Sequence, residues 1–312
     1  MDSNTVLITT SNFGEEDTAG IELLKEKGYK PVLNPYRRRL TAKEVCGLIE
    51  KYLPIGMIAG VEPLQWDTLQ KAKGLRVISR CGIGMDSIDL EAAENFGIVV
   101  KNTPDAPTVA VAELTLGMIL SLLRKIHVSD AGIRQGSWLR PNGCLLNGKT
   151  VGIIGCGRIG SYLARLLQPF GCKVLGCDPV CSVEKNFTLV DAEKILLQSD
   201  IISLHIPYSN STHHFINKER IGMMKIGAYI VNAARGGLID EQALFLALTS
   251  RKLAGAALDC FEEEPYSGNL KTLDTVLITG HIGSYAKESR IMMEMEAVEN
   301  LLSVLEILGD NQ

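Results

Sequence analysis

The sequence predicts an α/β chain with two doubly wound parallel-sheet domains. Three observations carry this. Over the first hundred residues, short β-branched runs alternate with amphipathic ones. From Lys149 an apolar strand runs into a glycine-rich turn and a helix. Beyond that turn a second series of strands, separated by helical stretches, reaches to residue 279. Parallel strands need long crossovers, which helices supply on both faces of a sheet. A chain of 312 residues has room for two such domains.

Residues 5–9 (T-V-L-I-T) form the first strand. Residues 18–27 are a helix that Gly28 ends, and 29–33 are the second strand. Thr41 and Glu44 have capping-box spacing, which starts a helix over 41–52. A short strand at 56–59, a helix at 64–73, a strand at 75–79, a helix at 89–96 and a strand at 98–100 complete this half, which has no G-x-G-x-x-G of its own. N-T-P-D-A-P at 102–107 is a proline-punctuated linker. The helix at 109–125 is too apolar for a surface position, which suits a core or a subunit interface. Residues 134–147, with Trp138, Arg140 and Pro141, form an exposed excursion. Later strands fall at 201–205, 228–232, 254–258 and 275–279, and a terminal helix at 288–308. Packed back on the first domain, that helix would make it discontinuous. The expected division is 1–101 with 285–312 as one domain, and 102–284 inserted in it as the other.

T-V-G-I-I at 150–154 is β-branched enough for a buried strand, and G-C-G-R-I-G follows at 155–160. A helix at 161–170 comes next, with Leu163, Leu166, Leu167 and Phe170 on its apolar face. The spacing has a physical reason. Gly155 permits the tight turn, Gly157 lets a pyrophosphate approach the backbone, and Gly160 lets helix and strand pack closely. The helix N-terminus, with Arg158 and Ile159, offers N–H groups and a partial positive charge to phosphates. A second strand, 173–178, ends in Asp178, at the distance where an acid binds the adenosine ribose of NAD. Motif and context together predict a Rossmann NAD site. Asp178 would repel a 2′-phosphate, and P-V-C-S at 179–182 offers no cation to receive one.

Composition excludes other classes. The net charge of −4 argues against a nucleic-acid surface, and Arg37, Arg38 and Arg39 read as a solvated loop. The N-terminus lacks the pattern of a signal peptide. The most apolar run, 109–123, is interrupted by Glu113 and is short for a membrane span, so no membrane partner is expected. The eight cysteines are scattered, without C-x-x-C pairs or metal-ligand rhythm. Even Cys172, Cys177 and Cys181 read as free thiols, so no metal is expected and a reducing cytoplasm fits.

Ligands of open parallel sheets bind beyond the carboxyl ends of the strands. Arg235 follows the strand ending at Asn232, with Ala233 between them. Asp259 and Glu264 follow the strand ending at Leu258, and His281 follows the one ending at Thr279. Hydride transfer to a ketone needs a proton donor and a cation that orients and polarises the substrate. His281 suits the donor, Arg235 the anchor, and Glu264 the partner that keeps the imidazole charged and aimed.

These residues sit in longer motifs: S-R-C-G-I-G-M-D-S-I-D at 79–89, N-T-P at 102–104, A-E-L at 112–114, L-N-G-K-T-V-G-I-I-G at 146–155, H-I-P at 205–207, N-A-A-R-G-G-L-I-D at 232–240, A-L-D-C-F at 257–261 and G-H-I-G at 280–283. With them the chain resembles the D-2-hydroxyacid dehydrogenase family, most closely its phosphoglycerate dehydrogenase-like branch. The resemblance implies a catalytic triad of Arg235, Glu264 and His281. It implies substrate binding by Arg80, Gly82, Ile83 and Gly84, with Asp259 and Thr108 at the nicotinamide end, and His205 and Pro207 by the adenine. Ala233 completes the cofactor set. The implied fold is bilobal, a Rossmann domain inserted in a flavodoxin-like substrate domain. A cleft that closes about the chain crossings at 102–107 and 283–284 goes with it, as does a homodimer through the 109–125 helix and the 134–147 excursion.

The first substrate expected is 3-phosphoglycerate with phosphohydroxypyruvate; glycerate, hydroxypyruvate and glyoxylate follow. Members acting on 3-phosphoglycerate often carry an Arg after the third strand, where this chain has Glu62. Arg80 and Arg140 remain as phosphate partners, Arg140 only across a dimer interface. The chain ends without an appended regulatory domain, so feedback through one is not expected. The alternative from another class, an NAD-sensing corepressor-like protein, is opposed by the intact Arg235, Glu264 and His281.

Overall fold

The first sheet is buried because its strands alternate between two apolar faces. The computed structural model describes residues 4–180 and 186–309. Its first elements are β1 (Thr5–Ile8), α1 (Ala19–Glu26), β2 (Lys30–Leu33), α2 (Ala42–Tyr52), β3 (Gly56–Ala59), α3 (Trp66–Leu69), β4 (Val77–Arg80), α4 (Leu90–Asn95) and β5 (Val99–Asn102). The strands are parallel in the order β2-β1-β3-β4-β5, the flavodoxin-type arrangement. Val6, Ile8, Ile58 and Val77 face one core, and Leu7, Met57, Ala59 and Ile78 the other. Thr41 and Glu44 close a capping box at the start of α2. The helix expected at 64–73 is a single turn, because Leu64 is drawn into a bridge with Ile88.

The next elements are α5 (Pro107–Arg124), α6 (Ile126–Arg134), β6 (Thr150–Ile154), α7 (Arg158–Leu167), β7 (Lys173–Cys177), β8 (Thr188–Leu189), α8 (Ala192–Gln198), β9 (Ile201–Leu204), α9 (Lys218–Met223), β10 (Ala228–Asn232), α10 (Glu241–Thr249), β11 (Leu253–Leu258) and β12 (Val276–Ile278). The second sheet runs β12-β11-β10-β9-β6-β7-β8, all parallel. This is the Rossmann order with one further strand, and it reverses direction between β6 and β9. Val151 and Ile153 join one core with α5 and α7, while Ile154 joins the other with α8, α9 and α10. Gly152 faces α8, where a Cβ would lie 2.5 Å from Ile195 Cγ2.

The last helix, α11 (Lys287–Gly309), lays Met293, Ala297, Val298, Leu301 and Leu305 on the first sheet. The chain divides into two units, Met1–Pro107 with Ser284–Gln312, and Thr108–Gly283. The first division falls six residues later than the 101/102 expected from the prolines. Asn102 still belongs to β5, and Ala106 is buried in the first unit, its carbonyl accepting from Ser289 Oγ at 2.9 Å.

Three other expectations change. Helix α6 and the short strand β8 were not foreseen, and α7 starts at Arg158 rather than 161 because Gly157 is its N-cap. Helix α5 has 18 residues and a mean hydropathy of 1.4, long and apolar enough by length and composition to cross a membrane, so it is not too short for one. Half of it is buried, and Val111, Ala112, Met118, Ile119, Leu122 and Leu123 form core against β6 and α7. The seven described cysteines are free thiols, of which Cys144 is exposed; Cys181 and Ser182 lie outside the described residues.

Candidate active site

The glycine turn sits where the second sheet reverses. Gly155 has φ +97°, and a Cβ there would lie 2.5 Å from the carbonyl of His205 at the end of β9. At Gly160 a Cβ would overlap the carbonyl oxygen of Gly155, so the first turn of α7 closes on the strand only without a side chain. Gly157 differs. No atom lies within 4 Å of its would-be Cβ, so this side of the turn faces open space. Gly157 also caps α7 without a side chain, and the exposed Arg158 and half-buried Ile159 follow it. Asp178, just past β7, accepts from the amides of Cys156 at 2.8 Å and Val180 at 2.9 Å, which ties the acid to the turn.

Beyond β10, β11 and β12 the predicted catalytic residues share one network. Asp259 is fully buried and accepts from Thr279 Oγ1 at 2.6 Å, Ile282 N at 2.9 Å and Gly283 N at 2.8 Å. These bonds pin the loop that holds His281 in the left-handed region, at φ +57°. With its carboxylate so occupied, Asp259 is placed as a clamp on the loop of His281. His281 Nδ1 lies 3.0 Å from both oxygens of Glu264, and Glu264 also accepts from the Phe261 amide at 3.2 Å. A Cβ on Gly236 would overlap the backbone of Phe261, so the turn carrying Arg235 rests on the loop carrying Glu264. Arg235 donates to Ala234 O at 2.7 Å.

Asn232 was read only as a strand end, yet it is buried and holds the Arg235 turn. Its Nδ2 donates to Arg235 O at 2.7 Å and its Oδ1 accepts from Ala234 N at 3.1 Å. A polar residue closing an apolar strand just before A-A-R-G-G is the signal that marks it. Ala233 is buried beside it. His205 shares a hydrogen bond with Ser203 Oγ at 2.8 Å, and its Nδ1 is buried without a partner among the described residues. Burial pushes its pKa down to about 4. Thr108 Oγ1 is likewise buried and unpartnered among the described residues, and Pro207 is exposed. The open Gly157, the acid at β7 and these unsatisfied polar atoms fit a dinucleotide.

In the first unit, the loop after β4 has its own support. Gly82, at φ +136°, donates to Thr103 Oγ1 at 2.7 Å, and Asn102 Nδ2 donates to Ile83 O at 2.8 Å, leaving Gly84 at the loop's end. Arg80 is only 7% exposed and donates to Cys81 O, with the buried Glu62 near enough to feel its charge. Glu62 accepts from Thr9 Oγ1 and from Gly60 N at 3.1 Å, and burial raises its pKa. Arg140 lies apart from these groups in sequence, exposed on an irregular segment of the second unit.

Residues 116–283 match the family model described as D-isomer specific 2-hydroxyacid dehydrogenase, NAD binding domain. The chain is 43% identical over 247 residues to the D-3-phosphoglycerate dehydrogenase of Methanocaldococcus jannaschii, covering 77% of this chain and 47% of that protein. It is 40% identical over 248 residues to the hydroxypyruvate reductase of Thermotoga maritima, covering 77% of this chain and 81% of that one. The chain thus spans about half the length of the phosphoglycerate dehydrogenases it matches. Among solved structures, D-lactate dehydrogenase from Aquifex aeolicus complexed with NAD and lactic acid superposes with a TM-score of 0.84 at 30% identity, covering 96% of this chain and 95% of that one. Relatives and geometry agree on one assignment: the chain belongs to the D-isomer-specific 2-hydroxyacid dehydrogenase family, and its second sheet is the core of that family's NAD-binding domain.

Proposed function

We propose that the chain is an NAD-dependent oxidoreductase that interconverts a 2-keto acid and a D-2-hydroxy acid. The observation that carries this reading is the His281–Glu264 pair, 3.0 Å apart, on strand ends of the sheet that bears the glycine turn. Bound NAD supplies a hydride donor or acceptor. In the reduction, His281 gives a proton to the carbonyl oxygen and Glu264 aims the imidazole. Arg235 binds the substrate carboxylate and polarises the carbonyl. The backbone N–H groups of Ile83 and Gly84 add to the carboxylate binding, that of Gly82 being taken by Thr103 Oγ1, and Asp178 selects NAD over NADP. An NAD-sensing protein without catalysis is the reading this constellation opposes.

The favoured substrate is 3-phosphoglycerate with phosphohydroxypyruvate, supported by the several relatives named D-3-phosphoglycerate dehydrogenase. A phosphate adds nearly two negative charges and needs cations, for which Arg80 and Arg140 are the candidates. One observation favours a second reading, an unphosphorylated acid such as hydroxypyruvate or glyoxylate. The buried carboxyl group of Glu62 lies close enough to Arg80 to share its charge.

Ile126, Ile133, Trp138, Leu139 and Leu145 are exposed along the segment after α5, with Trp138 at 81%. This apolar run supports a homodimer, and the free thiols support the cytoplasm. NADH oxidation over a panel of 2-keto acids tests the activity. Turnover with phosphohydroxypyruvate at the highest kcat/KM is expected. Higher kcat/KM with hydroxypyruvate moves the assignment to the second reading, and no turnover of any member removes the enzyme reading. Sedimentation as a monomer at micromolar concentration would remove the dimer.

A further inference from the structure

Two loops of the second unit bring a thiol, a carboxylate and an imidazole to one point. Cys260 Sγ, a Glu264 oxygen and an imidazole nitrogen of His281 all lie within 4.8 Å of one another. Cys260 is 2% exposed, directly follows the clamp residue Asp259, and holds its Sγ 3.5 Å from Ala234 O. The side chains of His281 and Glu264 keep 36% and 26% of their surface in solvent, so an ion can reach the point from their side. Positions 260, 264 and 281 have no metal-ligand rhythm, which is why scattered cysteines suggested no metal site.

We propose that Cys260, Glu264 and His281 bind a soft divalent cation, Zn²⁺ before others, in competition with the hydrogen bond between Glu264 and His281 Nδ1. Sulfur, nitrogen and carboxylate oxygen are the donors zinc takes, and three ligands leave its fourth position open. Mg²⁺ and Ca²⁺ prefer all-oxygen shells and are excluded by the thiol and imidazole. With metal–ligand bonds of roughly 2.0–2.3 Å, tetrahedral donors lie about 3.3–3.8 Å apart, so side-chain shifts of about an ångström close the set. Binding expels the thiol proton and any proton on the ligating imidazole nitrogen, and forms one metal bond to each of sulfur, nitrogen and oxygen. The ion then takes the place of the hydrogen bond by which Glu264 aims the imidazole. The site stands on geometry alone; its inhibition of the enzyme rests on the functional reading above.

Co²⁺ is the probe, added to the full chain without cofactor, because thiolate-bound Co²⁺ absorbs in the near ultraviolet. The expected result is such a band, displaced by Zn²⁺, lost in Cys260→Ala and in His281→Ala, and kept in Cys144→Ala. Cys260→Ser, nearly isosteric, gives the same loss where the alanine disturbs the core. Zn²⁺ is also expected to inhibit keto-acid reduction, reversibly with a chelator. Cys260→Ala leaves basal turnover unchanged and raises the half-inhibiting Zn²⁺ by at least about tenfold, the low end for losing even an outer-shell partner. No thiolate band in the unmodified chain, or an equal band in Cys260→Ser, overturns the proposal. A Cys260-dependent band without inhibition in an active enzyme upholds the site and overturns its competition with the hydrogen bond between Glu264 and His281. Absence of turnover with the band present counts only against the functional reading.

Discussion

His281 Nδ1 lies 3.0 Å from each carboxylate oxygen of Glu264, a residue 17 positions earlier in the chain. That geometry has the acid engage Nδ1, so in the proposed reaction Nε2 faces the substrate. His281→Ala is expected to lower kcat by about 10²–10⁴ with NADH affinity nearly unchanged, the usual worth of a positioned general acid. Glu264→Gln keeps an acceptor but loses the charge. A decrease in kcat/KM of about 10- to 150-fold follows from one charge-assisted contact. Steady-state kinetics of both variants, with NADH binding by fluorescence, decide it; near-normal kcat in His281→Ala sinks the assignment.

The turn glycines should separate by what their side chains would meet. Gly160→Ala puts a methyl group into the carbonyl of Gly155 and is expected to cost about 1–3 kcal/mol of stability. Gly157→Ala meets no protein atom within 4 Å, so its unfolding midpoint should match the parent. Its NADH affinity should nonetheless fall by about tenfold or more, roughly 1.4 kcal/mol, because the methyl group fills the space the pyrophosphate needs. Denaturant unfolding and NADH titration on both variants test the pair. Unchanged NADH affinity in Gly157→Ala would place the phosphates elsewhere.

Asp259 clamps the loop of His281 through three donors. Asn in its place turns one acceptor into a donor facing a donor, and leaves at least one buried N–H or O–H unpaired. Asp259→Asn should cost about 1–3 kcal/mol in urea unfolding. It should also lower kcat, since His281 at φ +57° loses its restraint. Full activity in a destabilised variant would limit Asp259 to the fold.

His205 carries a pH dependence of stability with a definite sign. Its pKa drops from 6.5 to about 4 in the folded chain because burial opposes the charge. Above pH 6.5 both states are neutral and the full stability is present. As pH falls from 6.5 towards 4, the unfolded chain takes up the proton first and stability declines, by at most about 3 kcal/mol. His205→Asn should flatten this part of the stability curve. An identical slope in the variant would assign the loss to other groups.

Arg140 tests the phosphate. If the substrate is phosphorylated, Arg140→Ala should raise KM for phosphohydroxypyruvate by about 10- to 150-fold and spare hydroxypyruvate. Equal changes for both would remove Arg140 from phosphate recognition.

Local chemistry made much of this legible from sequence alone. Strand–turn–helix alternation marked two parallel sheets, and the capping box at Thr41 and Glu44 placed α2. The three glycines at 155, 157 and 160 announced a dinucleotide site, because each answers a local steric demand. Arg235, Glu264 and His281 stood out because ligands gather at the carboxyl ends of parallel strands. Other features depended on contacts between distant residues. The bridge of Leu64 to Ile88 cut α3 to one turn, and the burial of Ala106 moved the domain division. Three donors from Thr279, Ile282 and Gly283 made Asp259 a clamp, and Glu62 came to lie within electrostatic reach of Arg80. Spacing along the chain cannot show that Cys260 meets Glu264 and His281, because only the closing of two loops over adjacent strands brings their ligand atoms within 4.8 Å.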